Sequence, residues 1–203
     1  MKIAVLGATG NVGGKVTKEA LDRGHQVTAV ARNTESLAGQ TAATVKSADI
    51  TDNAALADVV RGHDAVVISL KHQTFDLLKA LDGVRQSGVK RVMIVGGAAS
   101  LFNKDGIRLI DQPGFPDFIK VEAAPAAAAL DEIRKITDLD WSFISPSMFL
   151  GPGERTGKFR LGKDDLLVAE NGESKISYDD LAVAILDELE QNKHVRQRFT
   201  AGY

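Results

Sequence analysis

The sequence predicts a doubly wound parallel α/β sheet folded as one domain over residues 1–203, and three observations carry that prediction. Short apolar, β-branched runs alternate with segments of helical periodicity along the chain. The first of these runs, Lys2-Ile3-Ala4-Val5-Leu6, opens straight into a glycine-spaced turn, Gly7-Ala8-Thr9-Gly10-Asn11-Val12-Gly13. A chain of 203 residues is long enough to cover both faces of one sheet, and it leaves little room for a separate substrate domain.

The elements follow in order. Lys2 to Leu6 is apolar without alternation, as a strand buried on both faces requires. Val12, Val16, Ala20 and Leu21 then share one helical stripe, and Gly24 stops that helix in a left-handed turn. Gln26 to Ala31 is a second strand, so residues 2–31 make a parallel crossover unit. A short polar helix around Thr34 to Leu37 precedes a weak third strand, Ala43 to Lys46. Asp52 caps a helix from Asn53 that turns Leu56, Val59 and Val60 inward and ends at Gly62. Ala65 to Ile68 is strand four. Phe75, Leu77, Leu78, Leu81 and Val84 make a broad stripe on a helix from Thr74 to Ser87, closed by Gly88. Lys90 to Val95 is strand five.

The tail half is less regular. Leu101 to Pro116 has no period and reads as a long loop, a class that is usually functional or disordered. Asp117 to Ile136 is helical and Ala-rich, with Pro125 set to kink or divide it. Trp141 to Ser145 is strand six. Asn171-Gly172 between Leu166-Leu167-Val168 and Ser174-Lys175-Ile176 predicts a hairpin-like excursion on the substrate side. Ser177 caps a last helix lined by Leu181, Ile185, Leu186 and Leu189, and Phe199-Thr200 is expected to add an edge strand.

Composition narrows the function. Lys and Arg number 25 against 27 Asp and Glu, and this near balance provides no basic footprint for nucleic acid. The absence of cysteine removes disulfides, thiolate catalysis and cysteine metal sites. No apolar run approaches the roughly 18–20 residues that span a bilayer, and no export signal precedes the first strand, so a cytoplasmic location is expected with no membrane partner. His25, His63, His72 and His194 have no metal-site spacing; His25 and His63 read as solvated turn residues, and no metal is expected. Ser100, Ser145 and Ser147 lack a nucleophile elbow.

The glycine turn carries the chemistry. Between a first strand and a first helix, Gly7, Gly10 and Gly13 let a pyrophosphate approach the backbone amides and the positive helix end, with Thr9, Asn11 and Val12 between them. An NAD-preferring unit usually ends strand two on Asp or Glu; here Arg32 stands, whose guanidinium suits the 2′-phosphate of NADP, the alternative being a solvated surface arginine. Asp49-Ile50 after strand three either brackets an adenine or makes a turn. Ser69-Leu70 and Gly96-Gly97, after strands four and five, stand where Rossmann-type sheets place ribose and nicotinamide contacts, although Gly96-Gly97 is equally a plain turn. Phe102, Met148 and Phe149 either supply an apolar platform for a substrate or belong to the core. No catalytic residue is assigned.

With these residues assembled, the chain resembles the atypical short-chain dehydrogenase/reductases, and within them the NADH-flavin reductase-like NAD(P)H-binding group, similar in kind to biliverdin reductase B/flavin reductase and NmrA-like proteins. The likeness rests on the glycine turn, Arg32, Val95-Gly96-Gly97, and the segments Pro152 to Lys158 and Arg196 to Thr200. Departures are as informative. The Tyr-x-x-x-Lys pair of typical dehydrogenases is absent: Tyr178 and Tyr203 lie elsewhere, and Ile119-Lys120 has no partner phenol. Gly97 and Met148 stand where biliverdin reductase B-like relatives place a serine and a histidine. The resemblance therefore implies an NADP(H) site serving direct hydride transfer to a flat acceptor, flavin or quinone, which depends on stacking and distance. Its alternatives are a non-catalytic NADP(H) sensor of NmrA-like type and an isomerase-like enzyme that retains the cofactor. A homodimer is compatible with the sequence, which does not itself fix an oligomeric state.

Overall fold

The computed structural model describes residues 1–37 and 42–203. Its first half repeats one unit: β1 (Lys2–Leu6), α1 (Asn11–Asp22), β2 (Gln26–Ala31), β3 (Thr44–Ser47), α2 (Asn53–Val60), β4 (Ala65–Ile68), α3 (Leu77–Ser87) and β5 (Arg91–Val95). The second half adds α4 (Asp117–Ile133), β6 (Asp140–Pro146), β7 (Phe149–Gly151), β8 (Arg160–Gly162), β9 (Lys175–Ser177), α5 (Tyr178–Gln191) and β10 (Gln197–Gly202). The main sheet runs β3-β2-β1-β4-β5-β6-β10-β8, parallel except where β8 meets β10.

Both faces of this sheet are covered, and β1 shows why its sequence is apolar throughout. Successive side chains of a strand point to opposite faces. Ile3 and Val5 pack with Val16 and Ala20 of α1 and Leu181, Ile185 and Leu189 of α5. Ala4 and Leu6 pack with Leu56 of α2, Leu81 of α3 and Leu130 of α4 on the other side. The winding direction reverses between β1 and β4, so their carboxyl ends leave the crevice in which such sheets bind ligands.

Caps set the helix boundaries. Asp52 accepts from the amides of Ala54 and Ala55, Asp76 from Lys79 and Ser177 from Asp180. The Asp76 cap starts α3 at Leu77, later than the Thr74 its periodicity predicts, and leaves His72–Thr74 as a separate 3₁₀ turn. Pro125 does not divide α4, which continues through it. The carbonyl deprived of a donor is that of Val121, on a part of the helix that is open to solvent.

Three expectations are corrected, two of them in the tail half. Phe199-Thr200 is not an edge: β10 lies between β6 and β8, with β8 outermost. The turn at Asn171-Gly172 forms, but its second arm, β9, pairs in parallel with β7 rather than with residues 166–168. The sequence could not show this partner, because β7 and β9 are more than twenty residues apart. His25 and His63 are not merely solvated. His25 Nε2 lies 2.8 Å from Glu190 on α5, and His63 Nε2 lies 2.8 Å from the Thr28 hydroxyl.

The final strand is tied beneath the β7–β9 pair. Tyr203 donates its amide to Lys175 O at 3.1 Å and its hydroxyl to the buried Asp180 carboxylate at 2.8 Å. Segment 152–158 is strapped to α1 by Arg155, whose guanidinium makes two 2.7 Å bonds to Glu19. Arg155 first, with Arg23 beside it, draws the buried Glu19 carboxyl down to about 2 against its burial.

Candidate functional site

At the β1–α1 turn the glycines have separate tasks. Gly7 has φ +84°, and a Cβ there would stand 2.1 Å from Ser69 O. A Cβ on Gly13 would stand 2.1 Å from Gly7 O, so this glycine lets the helix lie against the turn. The Gly10 amide is spent on Gly7 O at 2.9 Å. The amides of Asn11, Val12 and Gly13 donate to no protein acceptor among the described residues. Unlike α2, α3 and α5, α1 has no side-chain cap, and its first turn carries no acidic residue. A helix end with unspent amides and no resident anion fits a pyrophosphate.

Two adjoining clefts open from this turn and share Leu70. The smaller, about 540 Å³, is lined by Gly7, Thr9, Arg32, Asp49 and Ile50. Arg32 is exposed, and its guanidinium makes no ion pair among the described residues. Asp49 does make the turn that was one of its two readings: Oδ1 accepts from the Thr51 amide at 2.9 Å and hydroxyl at 2.7 Å, which hold its carboxyl below the usual range.

The larger cleft, about 930 Å³, runs from Gly10, Asn11 and Val12 past Ser69 and Leu70 to Gly96 and Gly97, then out between Met148-Phe149 and the start of α4. The two glycines after β5 differ. A Cβ on Gly96 would enter the Phe143 ring at 2.0 Å, whereas Gly97 faces nothing within 4 Å. Met148 and Phe149, expected either as platform or as core, are 52% and 68% exposed and line the cleft; they are not core. Their backbone is fixed by Ser174, whose Oγ accepts from Met148 N at 3.2 Å and whose carbonyl accepts from Phe149 N at 2.9 Å.

Phe102 requires correction. It lies outside this cleft, bridged to Arg108 and Asp165, with its amide on Asp164 O, and it borders a separate hollow beside Arg108 and Arg134. The bridge to 165 turns the loop away immediately after Leu101. The part of that loop lining the cleft lies further on, at Leu109 and Gln112 to Pro116.

Two polar side chains complete the larger cleft. His72 donates from Nε2 to Val95 O at 2.9 Å, which leaves Nδ1 as a bare acceptor without a partner among the described residues. Burial pushes this imidazole toward its neutral form. Tyr178, the first residue of α5, was not among the expected site residues. Its hydroxyl lies 3.3 Å from Asn11 Nδ2, which donates to it. The usable signal was positional: Ile176-Ser177 is a strand running into a helix cap, so the next residue emerges at the ligand-binding edge.

A family model described as NAD(P)H-binding matches residues 7–192. The chain belongs to this NAD(P)H-binding family. Among solved structures, it is similar to a Burkholderia pseudomallei protein provisionally named as exported, at 42% identity with all of both chains covered and a TM-score of 0.91. A provisionally named epimerase from Bacteroides thetaiotaomicron shares 40% identity over 100% of this chain and 96% of that one, with a TM-score of 0.94. A Streptococcus pneumoniae protein provisionally named an NADH-flavin reductase shares 32% over 100% and 99%, with a TM-score of 0.87. For this NAD(P)H-binding chain, the unspent amides of α1 and the two joined clefts are the features that suit a dinucleotide. No described helix is long and apolar enough to cross a membrane.

Proposed function

We propose that the protein is an NADPH-dependent reductase of a flat conjugated acceptor, a flavin or a quinone. The observation carrying this reading is the larger cleft, in which the pyrophosphate cradle and an exposed apolar platform of Met148 and Phe149 share one continuous space. The amides of Asn11 to Gly13 would hold the pyrophosphate, and Arg32 would meet the 2′-phosphate of NADP. The nicotinamide, when bound, supplies the hydride. Gly97 leaves room for a ring at close approach, while Met148, Phe149 and Phe115 exclude water and orient the acceptor. The reductase name of the Streptococcus protein supports the same reading. Such an enzyme belongs where NADPH is kept reduced, in the cytoplasm, although the name of the Burkholderia protein points to export.

A second reading, a non-catalytic NADP(H) sensor, is favoured by exposed apolar residues of α4, Phe118 lining the cleft at 81% exposure and Val121 elsewhere on the helix at 66%. Purified protein mixed with NADPH and either FMN or 1,4-naphthoquinone decides between them. Loss of reduced-nicotinamide absorbance above the protein-free rate is expected. Tight NADPH binding with no such rate leaves the sensor.

A further inference from the structure

We infer that Tyr178 is the hydroxyl donor to the acceptor and that the acceptor class is therefore the quinones, an inference that rests on the reductase reading above. Tyr178 lines the larger cleft from the start of α5, as Phe149 does from β7. A phenol oxygen both donates and accepts. Asn11 Nδ2 occupies it as a donor at 3.3 Å, and no acceptor among the described residues takes the phenol's own proton. That proton is therefore free for a carbonyl oxygen in the cleft. The amide donor also stabilises the phenolate left behind when the proton moves.

The chemistry of the two acceptor classes separates them. Reduction of a quinone places negative charge on a carbonyl oxygen, where a nearby hydroxyl acts on the atom that changes. A flavin takes hydride at a ring nitrogen, and its reduced anion persists near neutral pH without a donor. Charge supports the same choice: among the described residues lining the cleft, Lys71 is the sole cation and Glu122 the sole carboxylate, so no cationic cluster awaits a flavin phosphate. The step balances as follows. The quinone gains hydride, and thus two electrons, from the reduced nicotinamide. The Tyr178 O–H bond breaks as its proton joins the quinone oxygen, giving the hydroquinone. Water returns a proton to the phenolate.

The test compares wild type with Tyr178→Phe, which keeps the ring and its packing, using binding as well as turnover. Without cofactor, equilibrium dialysis of 1,4-naphthoquinone should show about 3–10-fold weaker binding to the variant, while naphthalene, which has no carbonyl, binds both alike. With NADPH, single-turnover reduction of the quinone should fall about 100-fold and lose its solvent isotope effect, FMN reduction and the NADPH Kd staying within about twofold. Equal quinone binding and equal quinone rates in the two proteins overturn the inference and leave the reductase reading standing. A variant that loses NADPH affinity instead reassigns the phenol to the cofactor and also overturns it. A wild type that oxidises NADPH with neither acceptor ends the reductase reading, and this inference with it. Asn11→Ala is the second variant, expected to shift the quinone rate in the same direction by about threefold; no shift removes the proposed partner of the phenol.

Discussion

The cradle at the β1–α1 turn and the acceptor end of the larger cleft meet at Asn11, yet they are built on different principles. The cradle is backbone: close approach at Gly7 and Gly13 and three unspent amides, all within seven consecutive residues. The acceptor end is side chains brought from β5, the loop before α4, the β6–β7 corner and the first residue of α5. A backbone site tolerates almost no change at its glycines but is indifferent to its other side chains. A side-chain site tolerates substitution at any one position and owes its specificity to their sum.

The largest effect expected from this contrast is at the glycines. Gly13→Ala puts a Cβ against Gly7 O and should weaken NADPH binding more than about 100-fold, whereas Gly97→Ala, which meets no protein atom within 4 Å and only narrows the space left for a ring, should weaken it less than about 10-fold. Fluorescence titration with NADPH reads both, and similar losses would erase the distinction. Next, Arg32→Asp should lower the preference for NADPH over NADH about 10–100-fold; an unchanged ratio removes Arg32 as the selector.

The strap between the two regions should give a smaller, pH-dependent effect. Because Glu19 is held at about 2 when folded, against 4.5 ordinarily, its contribution is full above about pH 4.5 and is lost as pH falls toward 2. Glu19→Gln should therefore cost about 2 kcal/mol at pH 7 in denaturant melts, and the gap from wild type should close in acid; a gap independent of pH would show that the ion pair is not its source. Phe149→Ala should have the smallest effect, raising the acceptor KM several-fold through lost apolar contact while leaving the NADPH Kd unchanged.

This contrast also explains what was legible in the sequence. Strands β1 to β6 and the caps at Asp52 and Ser177 could be read because each depends on neighbours within a turn or a strand. The glycine turn could be read for the same reason. For Tyr178 only its place after a strand and a helix cap could be read, and its hydrogen bond could not, because Asn11 is 167 residues away. Phe102 was misplaced because a loop's direction depends on what it bridges, here Arg108 and Asp165. The interior position of β10 depends on β8, a strand of three residues too short to announce itself.

Tyr203, seated on Asp180 and Lys175, bears on the order in which the molecule becomes competent. During synthesis, residues 1–70 leave the ribosome first and include every residue of the pyrophosphate cradle, but Val16 and Ala20 of α1 pack on Leu181 and Ile185 of α5, so the support of the cradle is made late. The platform at Phe149 leans on β9, and β9 leans on Tyr203, so it cannot be completed until residue 203 has emerged. Both regions thus wait on the same late elements, α5 for the cradle and Tyr203 for the platform, and a nascent chain should hold neither nucleotide nor substrate before residues 178–203 have emerged.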